Sequence, residues 1–211
     1  MDTPKTIHAY PGLKALPDEL RDAAVRRTLG RREHLFRLGA RPRFVFYVLR
    51  GEVRLIRHAP DGSEVILQRC DGGFLAEASM DAPRYHCDAL AVESTSLLGF
   101  PVAAFRQALN GCPEFREAWM SRLAAEVRRL RAQSERLSLN SARERVIHYI
   151  ESEGKDGAIN LRQSRKAWAH ELGLSHEALY RTLSRLRSEG VLRIDGKRIA
   201  VIGDSHRPLL E

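Results

Sequence analysis

The sequence predicts an α+β protein, in which an N-terminal antiparallel β-barrel or jelly roll precedes a long helix and a C-terminal winged helix-turn-helix. Three observations support this fold class. Short β-rich runs with Gly-rich turns fill the first half, one long run lacks Gly and Pro, and two short helical segments precede a hairpin. These observations divide the chain into a β-rich domain at residues 1–112, a helix and hinge at 113–140, and a helical domain at 141–211.

The composition is that of a globular protein with excess positive charge. The 211 residues include 35 Lys and Arg against 27 Asp and Glu, a net charge of +8, and 43% are hydrophobic. This balance suits a polyanionic partner such as nucleic acid or a membrane surface. No apolar run approaches the roughly 20 residues of a membrane-spanning helix, and the N-terminus lacks a signal-peptide pattern. We therefore expect a cytoplasmic protein that does not contact a membrane.

The β-rich text runs from about Glu33 to Phe105. Its strand-like segments are rich in branched and aromatic residues and alternate with turn signals. Asp61-Gly62 lies between two of these segments and is a strong short-range signal for a hairpin. The Gly-rich stretch at 70–73 predicts a second turn. We therefore predict many short antiparallel strands in this part of the chain.

A long helix is predicted to follow, because Pro113 suits the first position of a helix and residues 114–139 contain no Gly or Pro. Its apolar residues have heptad spacing, with valine and serine at a positions and leucine at d positions. Such a pattern favours a parallel two-stranded coil, whose register a lone polar a residue can fix. The predicted homodimer seam comprises Leu123, Val127, Leu130, Ser134 and Leu137. The alternative is an amphipathic helix packed on its own domain.

From about Ser141 the sequence predicts a winged helix-turn-helix. Gly173 lies in the tight turn between two short helices, where a positive φ is required, and Asp195-Gly196 predicts the hairpin of the wing. Residues with capping preferences mark the helix ends: Ser164 and Ser175 before helices, Gly154 and Gly190 after them. The expected core consists of Trp168, Leu172, Leu174, Leu179, Leu183 and Leu186.

The second helix of this motif carries side chains that suit the edges of DNA bases. Arg181 can donate two hydrogen bonds to guanine, Glu177 can accept one from cytosine, and His176 can contact a base or a phosphate. Basic residues around them can bind phosphates and add salt-dependent affinity. The predicted contacts to double-stranded DNA are Arg165, Lys166, Ser175, His176, Glu177, Tyr180, Arg181, Arg185 and Lys197, together with Arg198.

Over nearly its full length the chain resembles the CRP/FNR family of bacterial transcription regulators. The resemblance rests on YVLRGEVRLIRHAPDGSEVILQ, GGFLAEAS, SARERVIHYI and, most specifically, SRKAWAHELGLSHEALYRTLSRLRSEGVLR. It implies a cyclic-nucleotide-binding-like sensor, a parallel dimer, RNA polymerase as a partner, and binding to two half-sites of a palindrome. The family's base-contacting positions fall on His176, Glu177 and Arg181. His176 stands where Arg or Ser is usual, which leaves the half-site sequence open.

The resemblance places an effector pocket at Glu77, Tyr85, His86 and Cys87. Cyclic-nucleotide members carry Gly-Glu and Arg-Ser in this segment, whereas this chain has Ala76-Glu77 and Tyr85-His86. The arginine that would pair with the cyclic phosphate is therefore missing, and Arg84, one residue earlier, would face the opposite side of a strand. Because an unpaired buried charge is costly, cyclic AMP is disfavoured as the effector.

His86 and Cys87 are adjacent in a segment, residues 83–89, that we predict to be a strand. Adjacent strand residues face opposite sides, so one of the two enters the pocket. Binding of a polar organic ligand, binding of Cu(I), Zn or haem, and thiol oxidation are open alternatives, beside simple packing. The candidate metal ligands are Cys70, His86, Cys87 and Cys112. No cysteine precedes Cys70, which disfavours the N-terminal iron–sulfur cluster of oxygen-sensing members.

We therefore predict a homodimeric DNA-binding regulator that responds to a signal other than cyclic AMP, such as a metal, a redox change or haem. The effector would bias the central helices and a hinge near Leu139-Asn140-Ser141. Alternatives are a regulator that binds DNA without an effector, and a scaffold dimer that binds protein through its wing. No nucleophile elbow, P-loop, HExxH or paired-carboxylate motif is present, so we do not expect an enzyme.

Overall fold

The computed structural model describes residues 10–62, 64–161 and 163–202, and the chain divides into two compact units between Met120 and Ser121. Among the described residues, the first unit has a short 3-10 helix at Pro11–Leu13 and is built mainly from strands. Its strands are β1 (Val25–Leu29), β2 (His34–Phe36), β3 (Phe44–Arg50), β4 (Val53–His58), β5 (Glu64–Cys70), β6 (Gly73–Leu75), β7 (Asp88–Ala91) and β8 (Thr95–Pro101). Its helices are α1 (Asp18–Asp22), α2 (Val102–Gly111) and the first turns of α3 (Pro113–Ser138).

The strands of the first unit form two four-stranded antiparallel sheets, ordered β1-β8-β3-β6 and β2-β7-β4-β5. Apolar side chains from both sheets share one buried core, which confirms the predicted jelly roll. The strands do not close into a barrel, because the two sheets stay separate and form an open roll. This core includes Leu29, Phe36, Phe46, Val53, Leu75, Ala89 and Leu97.

The hairpin predicted at Asp61-Gly62 is confirmed. Strands β4 and β5 pair antiparallel from His58 and Glu64 onward, and Gly62 takes a φ of 82° that most residues avoid. The second predicted turn also forms, since β5 ends at Cys70 and β6 begins at Gly73.

The limits predicted for the β-rich region are wrong at both ends. Strand β1 lies before Glu33, and pairs with β8 although it carries two arginines in five residues. Strand β8 ends at Pro101, and the next ten residues form α2 rather than a strand that reaches Phe105. Three alanines and a glutamine favour a helix there, and Phe105 is its fully buried anchor.

Aromatic rings connect α2 and α3 to the roll. Phe74 of β6 lies 6.0 Å from Phe105 and 5.0 Å from Trp119, measured between ring centroids, and both pairs are edge-to-face. Phe115 in the first turn of α3 lies 5.4 Å from Phe105. Such pairs contribute beyond the area they bury. The first turns of α3 are therefore part of the first unit.

The second unit contains the remainder of α3 and the C-terminal elements. Its helices are α4 (Ala142–Glu153), α5 (Arg165–Glu171) and α6 (His176–Ser188), and its strands are β9 (Ala158–Asn160), β10 (Leu192–Asp195) and β11 (Arg198–Val201). The strands form one sheet ordered β10-β11-β9. The predicted core is confirmed: Trp168, Leu172, Leu179, Leu183 and Leu186 are buried, and Leu174 packs against them.

The predicted helix caps are also confirmed. The Ser164 and Ser175 hydroxyls accept the backbone N–H groups of Ala167 and Ala178 at 3.2 and 3.1 Å. Gly190 follows α6 with a φ of 71°, and the break between α3 and α4 falls at residues 139–141. In the described part of the chain, no helix has both the length and the apolarity needed to cross a membrane.

Candidate nucleic-acid interface and effector pocket

The turn between α5 and α6 requires glycine for two reasons. Gly173 has a φ of 63°, in the left-handed region that other residues adopt only at a cost. A Cβ at this position would lie 3.0 Å from Arg145 Nη1 and 3.1 Å from Leu137 Cδ2. The turn therefore depends on close approach as well as on backbone conformation, and it sets the angle between the two helices.

Helix α6 has one buried face and one polar face. Leu179, Thr182, Leu183 and Leu186 face the core, and Thr182 donates to the Ala178 carbonyl at 2.8 Å. Glu177 lies in the first turn, where the N-terminal end of a helix favours a negative charge. The exposed face presents His176, Glu177, Tyr180, Arg181 and Arg185. These side chains are therefore available to a partner in the single chain.

Arg165 connects three elements of this surface. Its guanidinium donates to the Gly196 carbonyl in the wing turn at 3.3 Å and lies 5.8 Å from the Tyr180 ring centroid on α6. The Tyr180 ring in turn lies 4.5 Å from the His176 imidazole. Sequence reasoning predicted Arg165 only as a phosphate contact. The structure adds that Arg165, Tyr180 and His176 lie side by side and connect α5, the wing and the start of α6.

The remaining predicted phosphate contacts lie on exposed positions close in sequence to these elements. Lys166 is exposed in the first turn of α5. Lys197 and Arg198 are exposed beside Gly196, whose φ of 55° forms the turn of the β10–β11 hairpin. These basic groups therefore lie on the surface of the second unit.

Arg145 of α4 connects the end of α3 to the turn of the helix-turn-helix. Its guanidinium donates to the carbonyls of Leu137 and Leu139 at 3.4 and 3.0 Å, and to those of Leu172 and Gly173 at 3.2 Å each. These carbonyls lie at the ends of α3 and α5, where helices leave acceptors unsatisfied. Sequence reasoning missed this residue, because no local pattern identifies an arginine whose partners are carbonyls of distant segments.

Arg136 is a second buried link between α3 and α4. Its side chain is 0% exposed and its guanidinium donates to Glu153 at 3.1 Å and to Ser152 at 3.0 Å. The same guanidinium lies 4.5 Å from the Tyr149 ring centroid, and burial raises the pKa of that tyrosine. An unpaired buried charge is costly, so the pairing of Arg136 with Glu153 holds the end of α3 against α4.

The predicted seam on α3 is exposed in the single chain. Val127, Leu130 and Leu137 are 46, 48 and 46% exposed, Ser134 is exposed and Leu123 is half-buried. Met120 extends the stripe with the same spacing and is 60% exposed. Sequence reasoning missed Met120, although the heptad spacing identifies it as a further a position.

The strand predicted for residues 83–89 is wrong over most of its length, because β7 begins only at Asp88. The backbone of Tyr85 pairs with a loop rather than with a strand: its N–H donates to the Ala40 carbonyl at 2.8 Å, and its carbonyl accepts from Gly39 at 2.9 Å. The predicted alternation of sides still holds. Tyr85 and Cys87 are 4 and 1% exposed, whereas His86 is exposed.

Tyr85 is the residue at which the resemblance leads one to expect a phosphate-binding arginine. Its ring stacks on Phe36 with 3.7 Å between centroids, and its hydroxyl donates to the Phe44 carbonyl at 3.3 Å. Burial raises the pKa of this phenol, so the group stays neutral. The position is therefore occupied by an uncharged aromatic ring inside the roll core.

The other predicted pocket and metal residues lie in separate environments. Glu77 is half-buried at the start of a short 3-10 helix, and the Ser79 hydroxyl contacts His86 Nδ1 at 3.3 Å. Burial raises the pKa of the Cys87 thiol. Within residues 10–62, 64–161 and 163–202, no three His, Cys, Asp or Glu side chains are grouped to hold a metal ion.

Two domain families match this chain. The cyclic nucleotide-binding domain matches residues 26–112, and the Crp-like helix-turn-helix domain matches residues 144–206. Together the two matches cover more than half of the chain. They correspond to the roll and to the winged helix described above.

Known relatives agree with this assignment. The chain is 27% identical over 195 residues to the transcriptional activator protein FnrA of Stutzerimonas stutzeri, covering 88% of this chain and 80% of the relative. It is 25% identical over 185 residues to the transcriptional activator protein anr of Pseudomonas aeruginosa, covering 83 and 76%.

A solved structure has the same fold. FixK2 from Bradyrhizobium japonicum superimposes with a TM-score of 0.63 at 24% identity, covering 85% of this chain and 93% of that chain. The domain matches, the two activators and the shared fold agree with the winged helix and the roll seen here. The chain therefore belongs to the CRP/FNR family, whose members are transcription regulators with a DNA-binding helix-turn-helix and not enzymes.

Proposed function

We propose that this protein is a cytoplasmic homodimer that binds a palindromic DNA site and regulates transcription in response to a signal other than cyclic AMP. The observation that carries the proposal is the exposed face at the start of α6. Its residues His176, Glu177 and Arg181 project beside a turn that only glycine fits. In helix-turn-helix proteins this part of the second helix enters the major groove.

The chemistry of this face supports specific base contacts. Arg181 offers the planar fork that matches guanine, and Glu177 offers an acceptor for the cytosine amine. Lys166, Lys197 and Arg198 surround them and can neutralise phosphates, which adds affinity without sequence preference. Arg181 and Glu177 thus offer contacts that depend on base sequence, and the basic residues offer contacts that do not. A sequence-selective regulator needs both kinds of contact.

The exposed stripe on α3 supports the dimer. Val127, Leu130 and Leu137 each expose nearly half of their side-chain surface in the single chain, and burying them against a second copy removes that surface from water. Two copies joined in parallel present two recognition helices, which a palindrome with half-sites one helical turn apart can accept. We further propose that the bound dimer contacts RNA polymerase, as the family resemblance implies.

The geometry of the sensor unit supports an effector that is not cyclic AMP. A buried, neutral Tyr85 stacked on Phe36 offers no ion pair to a cyclic phosphate. Of the signals left open by the sequence, oxidation of Cys87 has little support because the thiol is buried. His86 is the exposed candidate, so we propose that the effector, whether a metal, haem or an organic ligand, contacts this imidazole.

Selection of binding sites from a random DNA library tests the proposal. We expect enrichment of a palindrome, followed by loss of preference at one base position of each half-site in Arg181→Ala. That substitution should cost about 1–3 kcal/mol at each half-site. Lys166→Ala is the matched control: it should weaken all sequences alike and reduce the salt slope by about 2, because the dimer carries the substitution twice. A library without any enriched sequence would support the scaffold alternative instead.

A further inference from the structure

Arg27 places a positive charge on the core-facing side of the β1-β8-β3-β6 sheet. Alternate residues of a strand share a side, and Leu29, two residues after Arg27 in β1, is buried in the core of the roll. Arg27 is half-buried, whereas its neighbour Arg26 is exposed. Val25 lies on the same side as Arg27 and is 46% exposed, so this end of the core-facing side is open to solvent.

The Arg27 side chain reaches the aromatic rings of β3. Its guanidinium carbon lies 4.6 Å from the ring centroid of Phe44 and 5.7 Å from that of Phe46. Strand β8 separates β1 from β3, so the side chain must cross β8. Gly99 of β8 pairs with Phe46, and a Cβ at Gly99 would lie 3.3 Å from an atom of each ring. The missing side chain at Gly99 therefore leaves room beside these rings for the guanidinium.

The hydrogen-bond donors of Arg27 have no acceptor among the described residues. Within residues 10–62, 64–161 and 163–202, no carboxylate forms an ion pair with this guanidinium, and no other group accepts a hydrogen bond from it. None of its described nitrogens is both buried and unpaired, so its donors face water. A cation–π contact stabilises the charge but accepts no N–H donor. The donors of Arg27 are therefore accessible to an anion.

A row of uncharged rings continues from Phe44 into the core. The Phe44 and Phe46 centroids are 5.9 Å apart, the Phe46 and Phe36 centroids 6.1 Å, and the Phe36 and Tyr85 centroids 3.7 Å. Burial raises the pKa of Tyr85, and the charge of Arg27 partly opposes this rise. A cation thus lies beside apolar, aromatic surface at the open end of the roll. We call this group of residues the Arg27 site: Val25, Arg27, Phe44 and Phe46.

We propose that the Arg27 site binds a small organic carboxylate, with the carboxylate on the Arg27 guanidinium and a flat apolar body against Phe44 and Val25. A carboxylate matches the planar fork of arginine and accepts two parallel hydrogen bonds from it. A flat apolar body covers the exposed parts of Phe44 and Val25 and removes them from water. The proposal goes beyond the proposed function, because it requires neither DNA nor contact with His86, and it concerns the first unit alone.

Benzoate is the probe for the test, because it joins one carboxylate to one flat apolar ring. Its binding to the full-length protein is measured by ligand-observed NMR titration, beside benzamide, which lacks the charge, and inorganic phosphate, which lacks the ring. Arg27→Gln removes the charge, and Arg27→Lys keeps the charge without the planar fork. Arg26→Gln is the matched control, because it removes the same charge from the neighbouring, exposed position of β1.

We expect the unaltered protein to bind benzoate with a Kd of about 1 mM, in keeping with a ligand of roughly ten non-hydrogen atoms. Benzamide should bind about tenfold more weakly, because it offers no charge-assisted hydrogen bond. Arg27→Gln should weaken benzoate binding about tenfold or more, Arg27→Lys by an intermediate factor, and Arg26→Gln should leave it unchanged. Thermal melting followed by circular dichroism checks the fold of each variant. If Arg27→Gln does not fold, Arg27→Lys and the benzamide comparison decide.

Four results would overturn the proposal. Equal losses in Arg26→Gln and Arg27→Gln would show only a general attraction of anions to a basic protein. Equal binding of benzamide and benzoate would exclude the ion pair. Phosphate binding as tight as that of benzoate would show a site without preference for an organic body, and absence of benzoate binding to the folded, unaltered protein would show that Arg27 only packs on the rings. Failure of the proposed function changes none of these results, because none of the measurements includes DNA.

Discussion

The three cysteines lie in different environments. Cys87 is 1% exposed, and burial together with the neighbouring Asp88 carboxylate raises the pKa of its thiol. Cys70 is 6% exposed and its Sγ lies 3.5 Å from the Gly73 carbonyl oxygen. Cys112 is half-buried, with its Sγ 3.4 Å from Glu114 Oε2. Since the thiolate is the reactive form of cysteine, we expect the three residues to react with thiol reagents at different rates in solution.

We expect a thiol-specific reagent to modify Cys112 of the native protein rapidly, and Cys70 and Cys87 only after unfolding. A raised thiol pKa leaves less thiolate at neutral pH, so Cys87 is protected by its charge state as well as by burial. Counting released chromophore from Ellman's reagent measures this. Cys112→Ser should remove the rapid phase and Cys87→Ser should leave it intact. Rapid loss of the Cys87 thiol would restore the redox hypothesis.

The Arg165 guanidinium lies over the Tyr180 ring. If this contact supports DNA binding, Arg165→Lys should weaken binding as much as Arg165→Ala, because an ammonium keeps the charge but not the planar guanidinium. We expect both variants to weaken binding to the selected site about tenfold in a mobility-shift assay. Preference at the position nearest to His176 should also fall. Full activity of the lysine variant would show that Arg165 is only a phosphate contact.

Local chemistry explains which residues were predictable. Ser164, Ser175 and Gly190 were identified correctly, because a cap or a positive φ depends on the backbone of the residue itself. Arg136 and Arg145 were not, because their partners come from segments that only the fold brings together. The DNA contacts stay predictions of the helix-turn-helix pattern, now with exposed positions on a formed helix.

Among the elements, the α5–α6 turn tolerates the least change. Alanine at Gly173 must adopt a φ of 63° and must place its Cβ against Arg145 and Leu137. We expect Gly173→Ala to lower the free energy of unfolding by about 2 kcal/mol, part from the backbone and part from the displaced guanidinium. Urea unfolding followed by circular dichroism measures the change, and DNA affinity should fall with it.

Gly190→Ala is the control for that substitution. Gly190 has a similar φ of 71°, but a Cβ added there would meet no other atom within 4 Å. It should therefore show only the backbone contribution, about 1 kcal/mol. Equal losses in the two variants would mean that the contact with Arg145 is unimportant for the turn.

The element boundaries show where sequence patterns fail. The β4–β5 hairpin was correct because Asp61-Gly62 marks the turn between the two strands, where Gly62 takes a φ of 82°. Strand β1 was missed because two of its five residues are arginines, and α2 was missed because its first residues continue the apolar run of β8. In β1, packing in the folded unit outweighs local preference, whereas α2 follows the helix preference of its alanines and glutamine.

In the single chain, the apolar stripe on α3 is exposed to solvent. From Met120 to Leu137 the stripe keeps a heptad spacing, and three of its members are nearly half exposed while Met120 is 60% exposed. A different side of α3 is covered within the second unit, where Arg136 is buried against α4. A second copy of the same helix is the partner that matches both the spacing and the polar Ser134.

The final prediction tests this dimer. Val127→Lys places a charge at an a position, and it should yield a monomer in sedimentation velocity with unchanged helix content, because Val127 is already 46% exposed in the single chain. Binding to the palindrome should fall by about 100-fold or more, since two half-sites are then bound independently. Ala125→Lys is exposed but lies off the stripe, and should remain dimeric with full affinity. A dimeric Val127→Lys variant would move the interface away from α3 and leave the apolar stripe to another partner.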